Sequence, residues 1–289
     1  MTDGAVVHDE NVRYIRSVRR PLLIALLCLQ CGLDELGVGV GVDGGPPPKD
    51  ASPELTVLPE AGADAPLGDG GADAPSIACP AGMKPVDGDF CIDGTEVTVA
   101  QYAQFVAANN LTIPDAGDRC SYVNDLQPNG TQGDVLEPQV QVDWCDAFMY
   151  CQWAGKRLCG ARDGGALPYG NSTSSPNQWL AACSHDGTRV YAYGSTWDAG
   201  ACNDDNINNG VEPVATFPNC VGGFPGIYDM TGNAREWIDS CSANNDNGDD
   251  CVIMGGDYTN DHNGSVCTQN VTHNRDYTGD STGFRCCWP

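Results

Sequence analysis

Basic residues are scarce in this chain: 14 Lys and Arg stand against 39 Asp and Glu in 289 residues, a formal net charge of −25. A surface of that sign repels phosphate backbones and anionic headgroups, which argues against nucleic acid as a partner and favours cations. Histidine is scarcer still. Its four copies, His8, His185, His262 and His273, form no ligand cluster along the chain, and no Cys-x-x-Cys pair follows Cys31. The spacings that build zinc sites are therefore missing. Long apolar runs are also missing: the longest, "PLLIALLCLQCGL", spans about a dozen residues, where a membrane-spanning helix needs roughly 20. No segment repeats at a fixed period.

What is present divides the chain into three parts. Four arginines (Arg13, Arg16, Arg19 and Arg20) precede the short apolar run, and together they read as an export signal over residues 1–31. Cys28 and Cys31 lie where a bacterial lipoprotein carries its lipidated cysteine, and Cys31 is favoured. Contact with a membrane is expected through such an anchor alone. Residues 32–76 are rich in Gly, Pro, Ala, Val and Asp and contain no aromatic residue, so they cannot bury enough surface to offset ordering entropy. They are expected to be a flexible tether, and residues 77–289 a single domain.

That domain holds 14 cysteines, from Cys79 to Cys287. An even count at this density behind an export signal predicts a disulfide framework. Cys79 and Cys91 are expected to pair locally. Adjacent cysteines rarely close on each other, so Cys286 and Cys287 should take different partners, and Cys145 and Cys151, six apart on one helix, should not join. In "TEVTVAQYAQFVAANN" the pattern predicts a short strand and then a helix capped by Thr98, with Gln101 completing a capping box. "VDWCDAFMYCQWAG" predicts a second helix, capped by Asp143 and closed by Gly155, with Trp144, Ala147, Phe148 and Cys151 on one stripe. The remainder is Gly, Asn and Asp punctuation between short apolar runs, which predicts an irregular α+β domain with long loops.

One stretch, "YDMTGNAREW", poses a chemical question. Asp229 and Glu236 flank a Gly-Asn turn, and two such carboxylates can form an acid and base pair, the ligands of one hard ion, or a solvated rim. The run "SANNDNGDDC" has a similar composition and reads as a solvated loop.

Six motifs occur in an order that resembles the formylglycine-generating enzyme family, also called sulfatase-modifying factors. They are "FCIDGTEVTVAQYAQFV", "PQVQVDWCDAFMYCQWAGKRL", "NQWLAAC", "YAYGSTWDAGACN", "GIYDMTGNAREW" and "MGGDY" with the terminal "STGFRCC". The cysteine-rich segments look most like myxobacterial lipoprotein members. The resemblance implies a C-type-lectin-like α+β fold with little regular structure. It also implies oxidation of a cysteine in exported sulfatases, within a Cys-x-Pro-x-Arg motif, by oxygen and a Cu(I) ion held by two thiolates. Here Asn260 stands where the first thiolate is expected, Asp257 replaces a serine, Asp261 replaces a histidine, and Cys267 is the nearby candidate for the second. The resemblance further implies calcium at Asp229 and Glu236 through side chains, with Gly232 and Ala234 giving carbonyls. A second ion would take side chains of Asn203 and Asn206 and carbonyls of Asp204 and Asn208. Arg235 occupies a position where the family commonly has a tryptophan lining its peptide groove, while Trp179 and Trp237 keep family-like positions and are expected in the core. Two functions follow: a cysteine-oxidising enzyme, or a non-catalytic module that binds a peptide or glycan.

Overall fold

The computed structural model describes residues 77–109 and 113–289. The expected signal, with Cys28 and Cys31, and the expected tether lie outside the described residues. In chain order the elements are β1 (Met83–Val86), β2 (Phe90–Asp93), α1 (Val99–Ala108), α2 (Trp144–Trp153), β3 (Arg157–Leu158), α3 (Gln178–Ser184), β4 (Arg235–Cys241), β5 (Asp250–Met254), β6 (Asn270–Asn274), β7 (Thr282–Phe284) and β8 (Cys286–Trp288). They form two four-stranded sheets, ordered β1-β2-β8-β3 and β6-β5-β4-β7. All pairings are antiparallel except β4 with β7. The fold is α+β and disulfide-rich, and long loops join its short elements. No helix among the described residues is long and apolar enough to cross a membrane.

Both long helices start as their sequences dictate. The Thr98 hydroxyl accepts from the Gln101 amide while the Gln101 side chain accepts from the Thr98 amide. Asp143 and Asp146 make the same reciprocal exchange at the start of α2, each pair satisfying two otherwise orphaned N–H groups. Gly155, at φ +71°, ends α2 in a left-handed conformation that glycine tolerates best. Two expectations need correction. No strand leads into α1; its place is taken by an isolated bridge between Thr98 and Pro138, and the strand lies earlier, at β2. Nor is α2 amphipathic: Trp144 through Cys151 are all buried. The helix lies inside an aromatic cluster with Tyr102, Phe105, Trp237 and Phe284, so no face of its first two turns meets water. A helix buried all round carries no polar stripe to betray it.

All 14 cysteines of the domain are joined in seven disulfides: Cys79–Cys91, Cys120–Cys145, Cys151–Cys286, Cys159–Cys287, Cys183–Cys267, Cys202–Cys220 and Cys241–Cys251. Alternation along β8 explains how the adjacent pair is used. Successive strand residues face opposite sides, so Cys286 joins the aromatic cluster around α2 and Cys287 the second cluster around Trp179 and Met254. The last strand thus ties both halves of the core to segments more than a hundred residues earlier. Closing such long loops restricts the unfolded chain by about 4–5 kcal/mol each in the entropic model. Disulfides at this density belong to an oxidising, extracytoplasmic compartment.

Candidate functional site

The turn before β4 is built from left-handed residues. Asp229, Gly232 and Asn233 have φ of +58°, +83° and +60°. A Cβ at Gly232 would lie 2.5 Å from the Asn203 carbonyl oxygen, so close backbone approach as well as φ demands glycine there. Asn233 then acts as the hub of the turn. Its backbone N–H donates to Asn203 O (2.8 Å), its amide nitrogen to Glu96 Oε1 (3.1 Å) and Glu212 O (3.2 Å), and its amide oxygen accepts from Asn203 Nδ2 and the Glu212 N–H.

Below the turn lies a buried charge cluster. Glu236, on β4, receives Arg285 through two bonds of 2.7 Å and the Trp179 indole N–H at 2.7 Å. Arg285 also lies 3.9 Å from Glu96 Oε2 and donates to Tyr228 O at 2.8 Å. Asp229 Oδ2 accepts from the Ala215 N–H at 2.6 Å. Burial pushes the Asp229 carboxyl up to about 6, opposed by the Ala215 bond and the Arg285 charge. Burial and then the Asp229 charge push Glu96 well above the ordinary carboxylate range. Three carboxylates thus share one guanidinium. The sequence shows Asp229, Glu236 and the Gly-Asn turn but gives no sign of Glu96 and Arg285, because a lone Glu before a helix cap and a single Arg between the last two strands carry no local signal. Trp179 and Trp237 are fully buried, as expected of core residues.

The residues at the expected copper position form a different kind of contact. Arg235 NH2 donates to Asn260 Oδ1 (3.2 Å) and lies 2.7 Å from Asp257 Oδ2. Asp257 is buried and accepts further bonds from Ser281 Oγ, Thr259 Oγ1 and the Thr259 N–H. Asn260 Oδ1 also accepts from the Asp257 N–H. Three positions where the sequence departs from the family pattern are therefore one hydrogen-bonded unit. Cys267 is no second thiolate: its sulfur is bonded to Cys183. Copper(I) takes soft thiolates, and the amide, carboxylate and guanidinium gathered here do not fit it. Asp261 faces solvent, its carboxylate held below the usual range by the Gly264 and Asn263 backbone N–H groups.

The loop from Asn203 to Asn208 packs beside this unit. The Asp205 and Asn206 N–H groups donate to the Asn260 and Tyr258 carbonyls at 2.7 and 2.9 Å. Two of the oxygens expected to hold a second ion already accept hydrogen bonds, and Asn206 is tethered through its amide nitrogen. Asn203 Oδ1 accepts from Asn208 Nδ2, the Asp204 carbonyl accepts from the Ile207 N–H, and the Asn206 amide donates to Thr259 O. Most residues of the loop "SANNDNGDDC" are exposed, in keeping with a solvated loop, and its backbone is held from beneath. A fully buried arginine, Arg275, donates to the Ala243, Asp246 and Arg119 carbonyls and to the Asp249 carboxylate. The guanidinium fills the loop as a bound cation would, and Trp144 covers it at 5.0 Å.

Comparison with known proteins matches residues 61–289 to the model of the sulfatase-modifying factor enzyme 1-like domain. The inactive C-alpha-formylglycine-generating enzyme 2 of Bos taurus is 30% identical over 179 residues, covering 55% of this chain and 54% of that protein. The formylglycine-generating enzyme of Bos taurus is 30% identical over 164 residues, covering 51% and 39%. The chain thus spans about half or less of the length of these relatives. Among solved structures, CarF superposes with a TM-score of 0.49 at 21% identity, covering 69% of this chain and 86% of that one.

Proposed function

The chain belongs to the sulfatase-modifying factor family, and from that premise we propose that this member is a non-catalytic, exported module that binds a peptide or glycan. One observation carries the reading: Asn260, at the position expected of the first thiolate, is bonded to Arg235, which also pairs with Asp257, while the candidate for the second thiolate, Cys267, is joined to Cys183. Cysteine oxidation on Cu(I) has no soft ligand to start from, since every cysteine of the domain is in a disulfide. The name of the bovine relative, inactive C-alpha-formylglycine-generating enzyme 2, supports the same direction. Export, with a lipid anchor at Cys31 or Cys28, agrees with the disulfide usage. The test is mass spectrometry of a Cys-x-Pro-x-Arg peptide incubated with the purified protein, oxygen and copper. The expected result is an unchanged cysteine. Conversion to the aldehyde that is lost in Cys267→Ser would overturn the reading.

The turn itself is proposed to hold one calcium ion, which would supply a fixed positive charge to the buried cluster. Glu96, Asp229 and Glu236 exceed Arg285 by two formal charges, the deficit that a divalent ion fills. Among the described residues Asp229 Oδ1 carries no hydrogen bond and Glu236 Oε1 accepts just one. Hard carboxylate and carbonyl oxygens suit calcium, with Asp229 and Glu236 giving side chains and Gly232 and Ala234 carbonyls. The residues Asn203, Asp204, Asn206 and Asn208 offer neutral oxygens, two of which already accept hydrogen bonds, and a second ion there would be held weakly.

A further inference from the structure

Two lysines occur in residues 77–289, Lys84 and Lys156, and both line one cleft of about 450 Å³ together with Asp93, Glu96, Gln101 and Tyr228. That convergence is unexpected in a chain of net charge −25. Lys156 is fixed: its Nζ lies 2.5 Å from Asp93 Oδ1, and Asp93 Oδ2 in turn accepts from the Cys286 N–H at 3.1 Å. Lys84 makes no ion pair among the described residues. Its stem runs along two glycines. A Cβ at Gly226 would lie 2.9 Å from Lys84 Cε, and one at Gly94 3.4 Å from the same carbon, so these glycines leave the lane by which the ammonium reaches the cleft.

Glu96 provides the complementary pole. Its side chain is 1% exposed, Oε1 is bonded to Asn233 Nδ2, and Oε2 has no hydrogen-bond partner in the described structure. A buried oxygen left in that state costs roughly 1–3 kcal/mol, and buried polar atoms in native proteins are nearly always paired. A group that donates to Glu96 Oε2 from the cleft would recover that cost.

We propose that this cleft binds a small zwitterion of the free amino-acid type, its carboxylate on Lys84 and its ammonium on Glu96. Charge favours that class. A simple anion is repelled by the field of the whole chain, and a simple cation meets two lysines, whereas a neutral zwitterion feels neither and pairs with both poles. The volume is at the small end of ligand pockets, which run from about 300 to 1,000 Å³. The site shares no lining residue with the Arg235, Asp257 and Asn260 unit, so it stands whether or not the non-catalytic reading holds; Glu96 also belongs to the carboxylate cluster around Arg285, so the titrations are run in chelator.

The test is calorimetry and NMR titration of the exported protein with the twenty free amino acids, with acetate and with methylammonium. At least one amino acid should bind saturably, ten times or more tighter than acetate or methylammonium. Lys84→Met should weaken it tenfold or more, and Lys84→Arg should keep it within about threefold. Lys84 is only partly buried on β1, so both variants should keep the parent melting temperature; Glu96→Gln should weaken the amino acid tenfold or more, and unchanged binding there would also overturn the proposal. Binding by no amino acid, equal binding of acetate, or full binding by Lys84→Met would each overturn the proposal.

Discussion

Arg235 and Asn260 are in direct contact, with the guanidinium donating to the amide oxygen at 3.2 Å while the same nitrogen sits 2.7 Å from Asp257. Two changes that look independent in the sequence are halves of one interaction. Arg235→Met should therefore destabilise by about 1–3 kcal/mol, because Asp257 keeps Ser281 and Thr259 as donors but loses its cation. Combined with Asn260→Ala, the double substitution should depart from additivity by about 0.5–3 kcal/mol. Urea unfolding of the four proteins measures this. Additive losses would mean that the contact carries no energy.

Much of this was legible in the residues, and the reasons differ by feature. The caps at Thr98 and Asp143 could be read because capping is local, set by side chains three positions apart. The separate partners of Cys286 and Cys287 followed from the geometry of a disulfide. The existence of α2 could be read, but not its burial on every side, because its cysteines and aromatics mimicked a single stripe. Glu96 and Arg285 could not be read either. Arg285 meets Glu96 and Glu236 from a distant part of the chain, 49 positions away in the nearer case, and sequence gives no sign of such pairings. Arg275 was hidden for the same reason, since the loop carbonyls that it meets lie 29 and 32 positions away.

Breaking the buried pair should be costlier than neutralising it. Arg285→Met leaves Glu236, Glu96 and Asp229 buried without their cation, a loss of about 3–5 kcal/mol. Glu236→Gln keeps an acceptor for Trp179 and Arg285 and relieves crowding among the carboxylates, so its loss should be smaller. Chemical denaturation of both variants in chelator decides this. Equal losses would show that the Arg285 charge is not what the carboxylates need.

Arg275 should behave as an internal ligand. In Arg275→Met three carbonyls and the Asp249 carboxylate lose their donor. We expect a loss of about 3–5 kcal/mol and faster proteolysis within residues 242–250. Cleavage elsewhere, with that segment as resistant as in the parent protein, would contradict the assignment.

Stability should fall as pH rises toward neutrality in chelator. Burial pushes both Asp229 and Asp143 up to about 6, above the roughly 3.9 of an unfolded aspartate. The native state then binds more protons between these values, so its advantage is full below about pH 4 and is lost as pH climbs through 6, on the order of 2–3 kcal/mol per group. Asp249 and Asp261, held below their ordinary value, act below pH 4 and leave that window untouched. Urea midpoints at pH 4.5, 5.5 and 7 test the sign. A midpoint that rises over that range would mean that these carboxylates are ionised throughout.

Calcium should reverse that trend. An ion on Asp229 and Glu236 needs the ionised carboxylates, so binding competes with the protons that Asp229 holds up to about pH 6. At pH 7 and a hundredfold excess over Kd the gain is about 2.7 kcal/mol; at pH 5 the same calcium should give less. Asp229→Asn should remove most of the response at pH 7, because it deletes a charge from the cluster. Asn206→Ala should leave it nearly intact, since that side chain carries no charge and lies outside the Asp229 turn. Melting curves with calcium and with chelator at both pH values give the four numbers required. A response that is absent at pH 7, or that survives Asp229→Asn in full, would remove calcium from this turn and leave Arg285 as its sole cation.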